Sequence, residues 1–188
     1  FRHVIGVKTQ PQMATARAKA YDAAEPDPSR QGTVLPVQHG VDPDKARMRY
    51  LEYKPIVAEG VRLEVANVVV AGGRGIGGPE GFKDLEVLAD LLGGAVGATR
   101  AATDSGFYRA ETMIGITGVI VSPDLYIAIS LSGASQHMAG CGGAKNIVAI
   151  NKDADANIFK ESRFGIVGDY KRILPAFMEE VQKIVQGG

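Results

Sequence analysis

The sequence predicts an α/β fold, a doubly wound and mostly parallel sheet with helices on both faces. Three observations carry this expectation. From Val61 onward short apolar strands alternate with helical segments, the pattern of parallel strands joined by crossover helices. Those strands are continuous apolar runs, as befits strands buried on both faces. Each of them also ends in a polar residue, and open α/β sheets hold their ligands just beyond the carboxyl ends of the strands.

Taken in order, residues 1–60 form a segment apart. FRHVIGVKT reads as one strand, PQMATARAKAY is weakly periodic, and DAAEPDPSRQG is a linker rich in Pro, Asp, Ser and Gly. TVLPVQHGVDPDKARMRYLEYKP holds a short apolar stretch, a turn at Asp42-Pro43-Asp44 and a charged segment returning as a second strand. The segment has no core of its own, because it offers too little apolar surface to offset its ordering entropy.

Residues 61–188 read as the second domain. ANVVVAGG gives a buried strand at Val68 to Ala71, followed by a glycine-rich loop from Gly72 to Gly81 and an amphipathic helix from about Phe82 to Leu92. Phe82, Leu85, Leu88, Ala89 and Leu92 fall on one face of that helix, at the spacing that packs on a sheet. AVGA supplies a second strand and MIGITGVIVSP a glycine-interrupted stretch. The segment from Leu125 to Lys152 is a βαβ unit whose first strand, LYIAISL, turns at Ser132-Gly133 into the helix SGASQHMAG. FGIVG is the last strand, and YKRILPAFMEEVQKIV closes the domain as a helix with Ile173, Leu174, Phe177, Val181, Ile184 and Val185 on its apolar positions.

Composition narrows the function. The chain has 188 residues, 45% of them apolar, with 21 basic and 21 acidic side chains, so a sizeable core is available and charge gives no argument for nucleic acid or an anionic membrane. Cys141 is the only cysteine, which excludes an intrachain disulfide framework and a thiolate zinc site and reads as a buried bystander. No apolar run is long enough to insert into a membrane. Phe1-Arg2-His3 starts neither a signal peptide nor, lacking methionine, a complete gene product, so the chain reads as a piece of a longer protein. The histidines lie on dissimilar segments, no carboxylate spacing resembles a ligand set, and no metal site is expected. Asp104 and Asp124 read as turn or capping residues, and Asp153 with Asp155 as a solvated turn.

The strand ends collect Arg74, Thr99, Arg100, Thr117, Ser132 to His137, Asn151 and Asp169. Two arginines, small hydroxyls and a helix start suit phosphates, and an acid after the last strand suits a ribose hydroxyl, which together describe a nucleotide. GGRGIGG has neither the dinucleotide spacing nor a GK[ST], so a simple NAD site and a P-loop are both unsupported. Each feature also has a plainer reading, as a capped helix or a glycine turn.

GGRG at 72–75, GATRAATDSGF at 97–107, GITGVIVSPDLYIAIS at 115–130, SGASQHMAG at 132–140, VAINKD at 148–153 and GIVGD at 165–169 together resemble the electron transfer flavoprotein alpha subunit. PQMATARAKAYDAAEPDPSRQG is similar to the segment leading out of that family's first domain, so residues 1–60 resemble its tail. The resemblance implies a fold of the DHS-like NAD/FAD-binding kind, FAD as cofactor, a beta subunit as partner in a heterodimer, and an electron carrier with no catalytic acid, base or nucleophile. Its donors would be acyl-CoA or other dehydrogenases and its acceptor a quinone oxidoreductase, in the cytoplasm or, less in keeping, the mitochondrial matrix. Electron bifurcation with a second flavin is a variant within the family. A NAD-binding enzyme on a similar sheet, which would need a catalytic histidine or lysine, and a structural remnant without cofactor are the other readings.

The resemblance also implies residue roles. Arg74 resembles the arginine near the cofactor phosphates. Ser132, Gly133, Ala134, Ser135, Gln136 and His137 resemble the segment wrapping the pyrophosphate and reaching the flavin, with His137 the donor near the C2 carbonyl. Asn151, Asp169 and Tyr170 resemble the adenosine side. Arg100 resembles the arginine lying against the isoalloxazine ring and Thr117 the hydroxyl that bonds flavin N5, with Thr99, Ile114, Gly115 and Ile116 among the cofactor-binding positions. Three positions depart from the pattern: Ile116 where the family reads glutamine, Thr99 where serine is common, and Ser135 where an aliphatic residue is common.

Overall fold

A computed structural model of the chain describes residues 6–15, 24–36, 40, 42, 45, 47–52 and 60–187. The chain divides into two units, Phe1–Tyr21 with Gly60–Gly188, and Asp22–Glu59.

In the smaller unit every described residue is exposed. Among its described residues is a turn in which Asp27 accepts from both the backbone N–H (3.0 Å) and the hydroxyl (2.6 Å) of Ser29, the Asx-turn chemistry that Asp brings to linkers. The strands expected before residue 60 are absent among the described residues: Gly6 to Thr9 and Arg47 to Glu52 have no strand pairing, while Phe1 to Ile5 and the middle of the expected turn at Asp42-Pro43-Asp44 lie outside them.

The larger unit is built on a six-stranded, wholly parallel sheet. Its strands are β1 (Val68–Gly72), β2 (Ala95–Thr99), β3 (Met113–Ile114), β4 (Leu125–Ile129), β5 (Asn146–Asn151) and β6 (Phe164–Val167). They lie in the order β3-β2-β1-β4-β5-β6. The helices are α1 (Pro79–Leu91), α2 (Arg100–Asp104), α3 (Ser135–Cys141), α4 (Ile158–Glu161) and α5 (Tyr170–Gln186). Strand period decides which side each residue faces. Val69, Ala71, Tyr126, Ala128, Ile147 and Ala149 point into a core closed by Cys141 of α3 and Ile158 of α4. Val70, Ile127, Ile129 and Ile150 point into a second core closed by α1, Ala102 of α2, and Tyr170 and Leu174 of α5. The sheet is covered on both faces, which is why its central strands read as unbroken apolar runs.

Local chemistry sets several boundaries. α1 starts three residues earlier than the apolar pattern predicts, because Pro79 occupies its first turn, where a fixed φ and a missing N–H cost nothing. Thr99 caps α2, accepting from the Ala102 N–H at 3.4 Å. Asp169 caps α5, accepting from the Lys171 N–H at 3.0 Å. Leu88 is fully buried between α1 and the sheet. Leu88→Ala is therefore expected to cost about 2–5 kcal/mol, read as a shift of the urea midpoint with an unchanged m-value.

Candidate functional site

Chain order runs outward from β1 through β2 to β3, then returns to the centre and runs outward from β4 through β5 to β6. The reversal lies between β1 and β4, and a crevice opens there because the loops that follow the two strands lead to opposite sides. The loops part from a common point. Gly73 donates its N–H to the Ile129 carbonyl (3.0 Å) and Gly75 to the Ser130 carbonyl (3.2 Å). A Cβ at Gly73 would collide with the Ser130 carbonyl and with Leu131, so a side chain there would push the two strand ends apart.

Beyond this point lies a cleft of about 730 Å³. The turn after β1 contributes Arg74 and Gly75 to its wall. Thr99, Arg100, Ala101 and Asp104 come from the end of β2 and α2, and Met113 to Thr117 from β3 and its loop. Ser130 to Ala134, Gln136 and His137 follow β4, while Asn151 ends β5 and Asp153 follows it. The sequence-derived residues Arg74, Thr99, Arg100, Ile114, Gly115, Ile116, Thr117, Ser132, Gly133, Ala134, Gln136, His137 and Asn151 are thus brought to one cleft. Ser135 is exposed in the same turn without lining it.

Asp169 and Tyr170 do not line the cleft. They follow β6, next to Asn151, whose carbonyl accepts from the Gly168 N–H at 2.9 Å. The Tyr170 side chain turns inward and donates its hydroxyl to the Ile76 carbonyl at 2.9 Å, and Asp169 is engaged as the cap of α5. Sequence reasoning missed Asp104 and Asp153 as cleft residues. Asp104 lies four residues after Arg100, one helical turn on, and accepts from Arg100 Nε at 3.3 Å. That spacing was the available signal. Asp153 does form the expected turn, its Oδ1 accepting from the Asp155 N–H at 3.0 Å, but the turn faces the cleft.

The turn after β4 offers backbone donors. The N–H groups of Ser132, Gly133, Ala134, Ser135 and Gln136 make no hydrogen bond among the described residues. Gly133 has φ +73, and a Cβ there would lie 2.5 Å from the backbone nitrogen of Ile158, so the loop's path over α4 needs glycine. Ile158 in turn donates to the Ser132 carbonyl at 3.0 Å, pinning the loop. Asn151 is buried and braces the same loop: its Nδ2 donates to the Leu131 carbonyl (2.8 Å) and its Oδ1 accepts from the Asp153 N–H (3.0 Å). One amide proton and one lone pair remain for a ligand.

His137 is buried and both its ring nitrogens are engaged, Nδ1 with the Ile114 carbonyl at 3.0 Å and Nε2 with the Tyr126 hydroxyl at 2.8 Å. Burial holds its pKa below the ordinary 6.5, against the pull of the Ile114 carbonyl. Burial pushes the Tyr126 hydroxyl well up, with Cys141 adding to it. Burial also pushes the Cys141 thiol up to about 11, which makes it the inert bystander expected of the lone cysteine. Among the described residues no cluster of His, Cys, Asp and Glu is arranged to hold a metal, and no helix is long and apolar enough to cross a membrane.

Residues 62–142, which supply β1 to β4 and α3, match the family model described as the electron transfer flavoprotein FAD-binding domain. The chain belongs to the electron transfer flavoprotein alpha-subunit family. It is 43% identical over 175 residues to the electron transfer flavoprotein subunit alpha of Thermoanaerobacterium thermosaccharolyticum, covering 93% of this chain and 53% of that one. The Bacillus subtilis subunit is 44% identical over 179 residues, 95% of this chain and 54% of its own. The mitochondrial subunit of Dictyostelium discoideum is 53% identical over 126 residues, 67% of this chain and 36% of its own. The chain spans about half the length of the first two relatives.

The residues present fit FAD, the cofactor of this family's domain. The turn from Ser132 to Gln136 has five adjacent N–H groups without acceptors among the described residues, and Arg74 and Arg100 line the same cleft, which is the kind of donor set a pyrophosphate takes. The cleft extends from that turn in two directions, toward Asn151 and Asp153 on one side and toward Thr99, Arg100 and Thr117 on the other, as a dinucleotide requires.

Proposed function

We propose that this chain holds FAD in an electron carrier of the alpha–beta heterodimer kind, taking electrons from dehydrogenases, acyl-CoA dehydrogenases among them, and passing them to a quinone oxidoreductase. The observation that carries the reading is the run of backbone donors without acceptors among the described residues after β4, with two arginines lining the same cleft. The backbone from Ser132 to Gln136 and Arg74 hold the pyrophosphate. Asn151 and Asp153, with the backbone of Asp169 and Tyr170 beside them, serve the adenosine side. Thr99, Arg100 and Thr117 serve the flavin side, where Arg100 offers a fixed positive charge and Thr117 a hydroxyl donor. Bound FAD supplies the redox chemistry, and the protein's part is to bind, orient and poise it.

An electron carrier needs no proton donor or nucleophile of its own. The alternative, a nicotinamide enzyme on a similar sheet, would require a free histidine or lysine beside the nicotinamide, and the ring nitrogens of His137 both have partners. Ile116, 62% exposed at the mouth, puts an apolar side chain where the family pattern has an amide, and so leaves the flavin side one donor poorer.

The test is an absorbance spectrum of the purified chain with and without added FAD, followed by heat release and mass identification of the chromophore. The expected result is a stoichiometric flavin band with FAD in the supernatant. Failure to bind added FAD, alone and with a beta subunit, would overturn the reading and leave the chain as a folded remnant.

A further inference from the structure

Directly after β1 and Gly73 the chain turns through Arg74, Gly75 and Ile76. The near side of this turn is fastened to the end of β4 by the N–H groups of Gly73 and Gly75. Its far side is fastened by a side chain 94 residues away, the hydroxyl of Tyr170, which donates to the Ile76 carbonyl at 2.9 Å. That carbonyl belongs to the same peptide plane as the Gly77 N–H, and in a trans peptide the two point in opposite directions. The Gly77 N–H donates to the Arg74 carbonyl at 3.1 Å. One rigid plane thus has Tyr170 at one end and the backbone of Arg74 at the other.

Two further observations belong to this contact. Gly81 lies in the first turn of α1, where alanine would be the better helix former. A Cβ there would stand 2.5 Å from both the Tyr170 hydroxyl oxygen and Ile76 Cγ2, so the glycine leaves the room through which the hydroxyl reaches the carbonyl. Tyr170 itself is buried in the core that also holds Ile76 and Leu174. Burial, with Asp84 and Asp169 adding to it, pushes the hydroxyl's pKa up, so it keeps the proton it donates.

We propose that Tyr170 is a positioning residue for Arg74: its hydroxyl fixes the Ile76–Gly77 peptide plane, which in turn fixes the backbone that carries Arg74 on the cleft wall. A long side chain on a settled backbone has less freedom to lose when it meets a phosphate. The consequence for binding rests on the reading of the cleft as an FAD site; the fastening of the turn does not.

The first measurement is amide hydrogen exchange in the full chain without added FAD. In Tyr170→Phe the amides of Ile76 and Gly77 are expected to exchange about tenfold faster, with those of β4 unchanged. Unchanged exchange at Ile76 and Gly77, or the same acceleration throughout the sheet, overturns the proposal whether or not the chain binds FAD. Should that variant not fold, Gly81→Ala, which crowds the hydroxyl off the carbonyl, is expected to speed the same two amides, and no acceleration overturns the proposal. The second measurement is FAD titration of Tyr170→Phe, Arg74→Gln and the double variant. Tyr170→Phe is expected to bind about fivefold more weakly, and the double variant no more weakly than Arg74→Gln alone. Losses that multiply would mean that the hydroxyl does not act through Arg74, and overturn the proposal. Failure of every form to bind FAD sinks the reading of the cleft alone, and the exchange result still decides the fastening.

Discussion

Gly133→Ala is expected to lower folding stability by about 3 kcal/mol and to abolish retention of FAD. Two terms add. At φ +73 a Cβ costs about 1–2 kcal/mol by its clash with the residue's own carbonyl. It would also stand 2.5 Å and 2.6 Å from the backbone N and Cα of Ile158, and backbone cannot swing aside as a long side chain can. The loop or α4 must therefore shift. Either movement breaks the Ile158 to Ser132 hydrogen bond and displaces the N–H groups of Ser132 to Gln136. Gly77→Ala is the control. Gly77 has φ +89, but a Cβ there meets nothing within 4 Å, so it should cost about 1 kcal/mol and leave cofactor binding intact. Urea denaturation and flavin absorbance after desalting measure both effects. Equal FAD retention by the two variants would show that the turn after β4 is not the binding element.

The central strands were legible because burial on both faces makes them continuous apolar runs. Val68 to Gly72, Leu125 to Ile129 and Asn146 to Asn151 need no partner information to be recognised. The short helices were not legible. α2 has five residues and α4 four, too few for periodicity to show, and both are held by capping or by one buried side chain such as Ile158. A rule about strand ends and the resemblance together named many of the residues that line the cleft after β1 to β5, though not Asp104 or Asp153. The rule alone does not say which strand lies at the edge. β6 does, with Phe164, Ile166 and Val167 exposed, so Asp169 and Tyr170 reach the cleft region only beside Asn151. The pairing of His137 with Tyr126 was hidden for a related reason. Alternation puts Tyr126 and Ala128 on the same face of β4, but only the packed structure shows that α3 covers that face and brings the imidazole to the hydroxyl.

Arg100→Gln is expected to lower the reduction potential of bound FAD by about 40–80 mV. Arg100 opens α2 directly after Thr99 and faces the cleft, where its charge favours any state of the cofactor that has gained an electron. At an effective dielectric of about 20 a charge several ångströms away is worth a few kcal/mol. Arg100 is 71% exposed and paired with Asp104 at 3.3 Å, so solvent and the carboxylate reduce this to about 1–2 kcal/mol, and about 1.4 kcal/mol corresponds to 59 mV for one electron. The pairing supplies the discriminating control. Asp104→Asn removes the offsetting negative charge and is expected to raise the potential by a smaller amount. Both shifts should shrink as ionic strength rises, because the pair is open to solvent. Dye-coupled reductive titration of the two variants measures the outcome. Shifts of the same sign, or shifts indifferent to salt, would mean that the substitutions act by distorting α2 rather than through charge.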